Sequence, residues 1–305
     1  MTTLNDMINE VLINMQGYTI NQDRTTYLVS PVTTTTSSSV SPTVLAFGST
    51  ENIGKGIIEI NNELMWVDSY DKVANTATVA PYGRGYLGST ASTHAIDSKV
   101  TISPTFPRFV VQRAINDTIE AMGSAIYAVK QTQFTWNAAQ NTYELDNLDV
   151  QHILSMSWQS VGPSLEWLPI RRYSFDSFPD TAEWGSGSQT VSIYDSIVPG
   201  QSVKVVYGTY PTAFTSGTQV FTTQTGLRNS TRDVVIYGAM YRLLANIDPA
   251  RTSFVSPEAD EIDAKRPYNA SGNVMRQIFA LYTQRLGEEV TALQQEFPAR
   301  IHYTR

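Results

Sequence analysis

Apolar positions at helical spacing open the chain. Within residues 1–17 they recur at i, i+3 and i+4, which predicts an amphipathic α-helix. Thr3 and Asp6 are placed to cap its first turn, and Gly17 is suited to end it. The buried face of this predicted helix is Leu4, Met7, Ile8, Val11, Leu12 and Met15.

From residue 24 to residue 103 the apolar spacing changes to two, which is typical of half-buried strands. Asn61-Asn62 separates two such strands and predicts a hairpin, because asparagine tolerates the positive φ of a tight turn. We therefore expect a β-rich insertion over 24–103, folded as a small antiparallel barrel or sheet. Within it, the Ser/Thr-rich residues 33–39 predict a mobile surface loop, with receptor contact as an alternative role. The predicted strands cover 56–60, 63–67, 76–80 and 99–102.

Helical spacing returns in three longer segments. The second predicted helix covers 107–129 within a bundle segment 104–130, and Pro107 suits its first turn. In segment 228–297, a third helix over 231–247 is apolar almost all round, and a fourth over 273–296 carries an apolar stripe that needs a partner. The packing positions of the fourth helix are Val274, Ile278, Leu281, Leu286, Val290 and Leu293.

Strand and turn signals also fill residues 131–227, which we interpret as a second β-rich region. Residues 188–193 and 202–207 alternate apolar and polar positions, and Pro199-Gly200 lies between them. This spacing predicts that the two strands pair as a hairpin. The chain as a whole therefore belongs to the α+β class, with two antiparallel units and several long helices.

A glycine pattern at the end of the first β-rich region needs a context test. Gly83, Gly85 and Gly88 spell G-x-G-x-x-G, which in a dinucleotide fold opens a helix beneath a pyrophosphate. Here residues 89–93 are poor helix formers, another strand follows, and the acidic residue expected about twenty positions later is missing. We therefore expect a structural connection between strands and no bound cofactor.

Composition narrows the functional classes. The 305 residues leave room for about two domains, and neither an apolar run of eighteen residues nor a secretion signal is evident. The absence of cysteine excludes disulfides, thiolate nucleophiles and cysteine metal sites. A formal net charge of -7 argues against a general nucleic-acid-binding surface, although it suits a surface past which DNA moves without adhering.

Candidate catalytic chemistry is sparse. The three histidines do not form a metal-binding pair, and His94 lies in a Ser/Thr-rich turn that favours a structural role. Nucleophile-elbow and phosphate-loop motifs are missing. A carbohydrate-active enzyme remains an alternative, because such enzymes use paired carboxylates and tryptophan platforms. The candidate pairs are Asp176/Asp180 and Asp146/Asp149, and the candidate platform is Trp158, Trp167 and Trp184.

One motif resembles a known turn. The pattern R-G-x-x-G-[ST]-T-A-x-x-H, in which the characteristic positions are Arg84, Gly85, Gly88, Thr90 and His94, resembles a turn in structural proteins of tailed bacteriophages. The segments after it follow in a consistent order, and over most of residues 80–305 this order resembles the head-to-tail adaptor, or connector, proteins beneath the portal ring. Those segments are the helix entered through F-P-R at 106–108, I-R-R-Y at 170–173, the strand at 203–207, the helix after R-D at 232–233, and the final helix.

The resemblance implies an adaptor-type helical bundle with two inserted antiparallel β-rich units, which are larger than a minimal adaptor requires. It implies a twelvefold ring in the virion neck, assembled in the host cytoplasm, whose bore conducts double-stranded DNA without sequence recognition. The implied partners are the portal protein, neighbouring subunits, and a stopper, tail terminator or other tail component. No enzymatic activity, cofactor, metal or membrane is implied.

The resemblance also assigns a role to the C-terminal residues. In such families the tail docks onto the portal, and here an extended segment 298–305 follows the last helix. The matching positions are Phe297, Pro298, Arg300, Ile301, His302, Tyr303 and Arg305. Another neck or tail structural protein, such as a stopper, a tail protein or a receptor-binding component, is the closest alternative.

Overall fold

The computed structural model describes residues 2–16, 23–123, 125–145, 149–162, 165–180, 182–185, 187–245 and 270–298. Within these ranges the chain forms five α-helices and thirteen strands, arranged in three antiparallel sheets. The chain divides into two compact units. We call Asn5–Ile115 with Gly238–Met275 the barrel unit, and Met1–Leu4, Asn116–Tyr237 and Arg276–Arg305 the sandwich unit.

The predicted N-terminal helix is confirmed as α1, Leu4–Gln16. Five of its six predicted inward positions are buried, and Leu12 is half-buried. Gly17 lies outside the described residues. The remaining helices are α2 (Arg108–Met122), α3 (Phe221–Thr225), α4 (Arg232–Ala245) and α5 (Ala270–Glu296).

Six short strands form the sheet of the barrel unit, in the order β1-β6-β3-β4-β5-β2. A bridge between Leu28 and Phe47 joins the two outer strands, with the Val29 N–H donating to the Ala46 carbonyl at 2.9 Å. The sheet is therefore closed, which corresponds to the barrel among the two arrangements, barrel or sheet, that the sequence left open. The strands are β1 (Arg24–Tyr27), β2 (Val44–Ala46), β3 (Gly56–Ile60), β4 (Glu63–Asp71), β5 (Thr76–Val79) and β6 (Lys99–Ile102).

The predicted hairpin at Asn61-Asn62 is confirmed. Ile60 pairs with Glu63, and Asn61 has a φ of 55°, the conformation that asparagine accepts more readily than most residues. The closed sheet surrounds a hydrophobic core contributed by strands β2 to β6 and by the connections between strands. That core is Leu28, Val32, Leu45, Phe47, Ile53, Ile58, Ile60, Met65, Val67, Ala77, Val79, Val100 and Ile102.

Two facing sheets make up most of the sandwich unit. One has the order β10-β9-β13-β7 and the other β11-β12-β8. Both contribute to one hydrophobic core, in which Val203 and Val205 of the first meet Val191 and Ile193 of the second. The strands are β7 (Ala128–Thr135), β8 (Thr142–Glu144), β9 (Val150–Gln159), β10 (Trp167–Pro169), β11 (Tyr173–Asp176), β12 (Thr190–Ile193) and β13 (Ser202–Thr209).

The hairpin predicted across Pro199-Gly200 is wrong. β12 pairs with β11 and β8, whereas β13 pairs with β7 and β9 in the other sheet. The turn therefore leads from one layer of the sandwich to the other, and the Gly200 N–H donates to the Trp136 carbonyl, just after β7, at 2.9 Å. Alternating patterns identified the two strands but not their partners, because pairing depends on distant segments.

The second helix is shorter than predicted. α2 ends at Met122, and the segment expected to continue it to residue 129 instead starts strand β7 at Ala128. A Cβ atom at Gly123 would lie 3.0 Å from the Tyr210 ring, so close packing favours glycine there. The apolar residues Ile126 and Val129 fit both periods, which is why spacing alone assigned them to the helix.

The expected adaptor-type helical bundle is also wrong, because the described fold is sheet-rich. Both core clusters above are formed by strands and their connections. The longest helix, α5, fully buries only Ile278 and Leu293 among its predicted packing positions. Apolar stripes identify a buried face but do not specify what covers it, and the bundle prediction assumed that helices cover one another.

Candidate functional site

The turn that carries the phage resemblance has a strained backbone. Its short 3-10 turn covers Tyr86–Gly88, and Gly85, Leu87 and Gly88 have φ values of 58°, 55° and 86°. A Cβ atom at Gly83 would lie 2.5 Å from the Trp66 carbonyl oxygen. The glycines are therefore needed for positive φ angles and for close packing. Strand β6 follows them, whereas a dinucleotide site would have a helix at this position.

The turn folds around one buried carboxylate, that of Glu63 at the start of β4. Arg84 donates to it through Nε, 2.7 Å from Oε1, and through Nη2, 3.0 Å from Oε2. Both side chains are almost fully buried. Such a two-pronged contact between guanidinium and carboxylate is stronger and more directional than a single ion pair.

Three further donors complete the shell around the Glu63 carboxylate. The backbone N–H groups of Gly85 and Ser92 lie 3.1 Å and 2.9 Å from its oxygens. His94 Nε2 lies 2.8 Å from Oε2, and His94 Nδ1 lies 3.2 Å from Asn61 Nδ2. Since a carboxylate only accepts, Nε2 carries the proton, and Nδ1 accepts from the asparagine amide.

The pKa of Glu63 follows from this shell. Burial alone raises the pKa of a carboxyl group, but hydrogen bonds from His94, Arg84, Ser92 and Gly85 outweigh burial and lower the pKa of Glu63 to about 2. A carboxylate with so low a pKa is a poor general base near neutral pH. The Glu63 cluster, which we define as Glu63, Arg84 and His94, therefore holds the turn in place.

Arg84 also ties the Ser/Thr-rich tract to the turn. Its guanidinium donates to the carbonyls of Thr34 and Ser92. Further along the tract, Ser37 Oγ donates to the Val79 carbonyl at 2.9 Å and accepts from the Thr43 N–H at 3.0 Å. The sequence predicted a mobile loop here, whereas these bonds attach the tract to the turn through Thr34 and to strand β5 through the Ser37 side chain.

Of the predicted turn residues, the structure brings Arg84, Gly85 and His94 together on Glu63. Gly88 provides left-handed backbone, and Thr90 lies on the exposed side of the turn. The sequence patterns did not indicate Glu63 itself. Glu63 lies two and four positions before the buried residues Met65 and Val67 on the same strand. Because alternate residues of a strand face the same side, this spacing places the Glu63 side chain inward.

A second buried carboxyl, Glu59, lies on strand β3 of the same hairpin. It accepts a hydrogen bond from the Arg108 backbone N–H at the start of α2. Burial raises the pKa of Glu59 to about 7, although the Arg108 N–H and guanidinium act in the opposite direction. The Arg108 side chain donates to Asn9 Oδ1 at 2.6 Å and to Asn62 Oδ1 at 3.3 Å, and thereby links α1 to the hairpin.

The predicted packing residues of the fourth predicted helix, α5, differ in how far they are buried. Ile278 and Leu293 are buried, Val274, Leu286 and Val290 are half-buried, and Leu281 is exposed. The buried face also contains Glu289, whose carboxylate accepts from Ser230 Oγ at 2.7 Å and from Arg285 Nη2 at 3.2 Å. The inward face of α5 therefore carries a hydrogen-bonded carboxylate, which the apolar spacing of the sequence did not predict.

The predicted portal-binding tail is described only at its start. Phe297 is half-buried and Pro298 is exposed just after α5. The remaining predicted positions lie outside the described residues: Arg300, Ile301, His302, Tyr303 and Arg305.

The carbohydrate-site candidates have local partners. Asp176 accepts the Phe178 N–H and Asp180 accepts the Ala182 N–H, both at 2.9 Å, in the manner of turn-forming aspartates. The Lys204 ammonium lies 4.5 Å from the centre of a Trp167 ring and occupies one of its faces. Trp158 and Trp167 lie on neighbouring strands β9 and β10, while Asp146 is outside the described residues.

Two features are missing from the described residues. No cluster of three or more His, Asp or Glu side chains suited to a metal ion occurs there. Among the described helices, none combines the length and apolarity needed to cross a bilayer. In comparisons with known proteins, neither a family model nor a curated protein matches this chain.

Proposed function

We propose that this chain is a structural protein of a tailed-bacteriophage virion and acts as a head-to-tail adaptor. In this proposal the subunits dock beneath the portal as a twelvefold ring and extend the DNA channel to the next neck or tail component. The proposal rests on the turn motif and the order of segments, and not on the expected helical bundle.

The observation that carries the proposal is the complete engagement of Arg84 and His94 with Glu63 and nearby backbone. Arginine and histidine in a glycine-rich loop are typical of catalytic or phosphate-binding sites, but here both are buried and bonded within the chain. Because both side chains are used to hold the turn, the motif supports the proposal that the protein has a structural role.

The formal charge supports the same function. With a net charge of -7, the chain lacks the excess of Lys and Arg that retains DNA through its phosphates. We propose that double-stranded DNA passes such a ring without sequence recognition. The proposed location is therefore the neck of the virion, after assembly in the host cytoplasm.

The proposed portal contact is the segment that follows α5. Phe297, Ile301 and Tyr303 alternate with Arg300 and Arg305, which would present apolar and cationic groups to the portal. Deleting residues 298–305 should leave heads and tails unjoined in infected cells, as counted by electron microscopy. Unchanged melting of the truncated chain is the control for folding, and normal joining by that chain would disprove the tail contact.

A second candidate is another neck or tail component, such as a stopper or receptor-binding protein. The closed six-stranded sheet and the sandwich favour it, since strands and their connections form both hydrophobic core clusters of the described residues. Cryo-EM of the virion neck separates the two. A twelvefold ring against the portal supports the adaptor, a ring without portal contact supports a stopper, and a position in the tail supports the alternative.

A further inference from the structure

The outer face of the four-stranded sheet in the sandwich unit carries polar side chains beside one tryptophan. On strand β9, Trp158 packs against the hydrophobic core, so its neighbours Ser157 and Gln159 face the opposite side of the sheet. Trp167 of β10 pairs with Gln159, and Lys204 of β13 pairs with Ser157. Because directly opposite residues of antiparallel strands share a face, Trp167 and Lys204 also lie on the outer side.

A pocket lies beside these residues, between β9 and the segment that follows β10. Its volume is about 250 Å³. Typical small-molecule sites occupy about 300–1,000 Å³, so this pocket suits a ligand of the size of one sugar ring. The lining combines an aromatic, a cationic and two hydroxyl side chains with three buried core residues. These are Trp167, Arg171, Ser155 and Ser157, and then Met156, Ile170 and Tyr173.

The wall of the pocket that carries Arg171 is fixed from two directions. The Ile170 N–H donates to the Met156 carbonyl at 3.0 Å, which holds the wall to β9. The N–H groups of Arg171 and Arg172 donate to Asp195 Oδ2 at 2.7 Å and 3.2 Å, and Arg172 Nε lies 2.9 Å from Oδ1. The position of this wall is therefore set within the chain, which reduces the entropy lost on binding.

The side chains at and beside the pocket provide two cations. The nearby carboxylate of Asp195 is already engaged by Arg172. In the described part of the chain, the side chains of Arg171 and Lys204 take part in no ion pair. Arg171 is exposed, and the Lys204 ammonium lies 4.5 Å from the centre of a Trp167 ring. Because neither cation is neutralised by a carboxylate of these residues, the pocket favours an anionic ligand.

The remaining lining groups favour a sugar as the body of this ligand. A serine hydroxyl both donates and accepts hydrogen bonds, so Ser155 and Ser157 match the hydroxyl groups of a sugar. Trp167 offers an apolar ring against which the C–H face of a sugar packs. A mononucleotide also combines a ring with an anion, but its base and sugar together exceed the size of this pocket.

We propose that this pocket binds the carboxylate-bearing sugar of an acidic saccharide. The Arg171 guanidinium binds the carboxylate in a two-pronged contact, and Lys204 adds positive charge beside it. Trp167 packs against the sugar ring, and the two serines bond its hydroxyl groups. The inference goes beyond the proposed function and does not rest on it, since the site lies within the sandwich unit and requires no ring.

Binding of small sugars to the full-length chain tests the proposal. The methyl glycosides of glucuronic acid, galacturonic acid and N-acetylneuraminic acid are titrated and followed by ligand-observed NMR. We expect at least one of them to bind with a Kd on the order of 1 mM, as is usual for so small a ligand. The neutral methyl glucoside and galactoside should bind at least tenfold more weakly. Failure of all three acidic sugars to bind, or equal binding of the neutral ones, overturns the proposal.

Two substitutions locate the binding site. Arg171→Gln removes the cation and Trp167→Ala removes the ring, and each should weaken binding of the acidic sugar at least tenfold. The matched controls are Arg113→Gln, at an exposed arginine of α2, and Phe178→Ala, at an aromatic residue of the sandwich unit that is 92% exposed. Thermal melting of each variant verifies folding. Equal affinities in the two site variants and the two controls overturn the assignment of the pocket.

Acetate and adenosine monophosphate separate a sugar from other anions. Acetate carries the carboxylate without the ring, so it should bind at least tenfold more weakly than the acidic sugar. Tighter binding of either compound than of the acidic sugars overturns the choice of ligand. A cryo-EM reconstruction of the neck does not measure sugar binding, so the failure of this inference and the failure of the proposed function are distinguishable.

Discussion

Glu59 and Glu63 lie on the two strands of one hairpin, both buried, and their pKa values move in opposite directions, to about 7 and about 2. Burial raises the pKa of both. Only Glu63 receives hydrogen bonds from His94, Arg84 and two backbone N–H groups, and these outweigh burial. The number of donors around each carboxyl decides whether the charged form is stable.

Glu59→Gln should remove a pH dependence of folding. Because the folded pKa is raised from 4.5 to about 7, Glu59 contributes its stability below pH 4.5 and loses it as the pH rises through 7. The loss corresponds to about 3 kcal/mol. Urea unfolding between pH 4.5 and 8 should show this decline in wild type and a flatter profile in the variant. Exposed Glu51→Gln is the control, and an unchanged slope in Glu59→Gln would contradict the prediction.

Glu63→Gln should behave in the opposite way. The lowered pKa makes the Glu63 contribution present above pH 4.5 and lost as the pH falls through about 2. At pH 7 the substitution leaves the buried Arg84 guanidinium without its carboxylate, and we expect a loss of about 3–5 kcal/mol in unfolding free energy. Denaturant unfolding at pH 7 measures it. An unfolding free energy at pH 7 equal to that of wild type would show that the cluster is not stabilising.

Arg84→Lys tests the geometry of the same cluster at constant charge. The guanidinium contacts both Glu63 oxygens and two carbonyls at once, which one ammonium cannot reproduce. We expect a loss of about 1–3 kcal/mol from the groups left unpaired. Arg24→Lys, on an exposed strand residue, is the control. Equal unfolding free energies for Arg84→Lys and wild type would indicate that charge alone matters.

Gly85→Ala should destabilise the turn through its backbone. Gly85 has φ 58°, and a Cβ atom there would lie 2.7 Å from the Ser89 carbonyl oxygen. The left-handed conformation alone costs an L-residue about 1–2 kcal/mol, and the contact adds to this cost. Thermal melting should fall accordingly. Gly54→Ala, where nothing lies within 4 Å and φ is not positive, should change little, and a similar fall in both variants would point to a general effect of losing glycine.

Local patterns were sufficient for the elements whose contacts are close in sequence. The period-two spacing and Asn61-Asn62 predicted the β3–β4 hairpin, because its turn and register depend on neighbouring residues. The i, i+3, i+4 spacing predicted α1 and its buried face for the same reason. The sequence also marked Arg84 and His94 as members of one structural turn.

The tertiary structure alone decided which distant segments meet. The partners of Glu63 lie 21 to 31 positions away, so no local pattern reveals that Arg84 and His94 converge on this carboxylate. The pairing of β12 and β13 in different sheets, and the sheet-rich cores in place of a helical bundle, likewise depend on contacts between remote strands. Periodicity reports that a face is buried, whereas the identity of its cover is settled only when the whole chain packs.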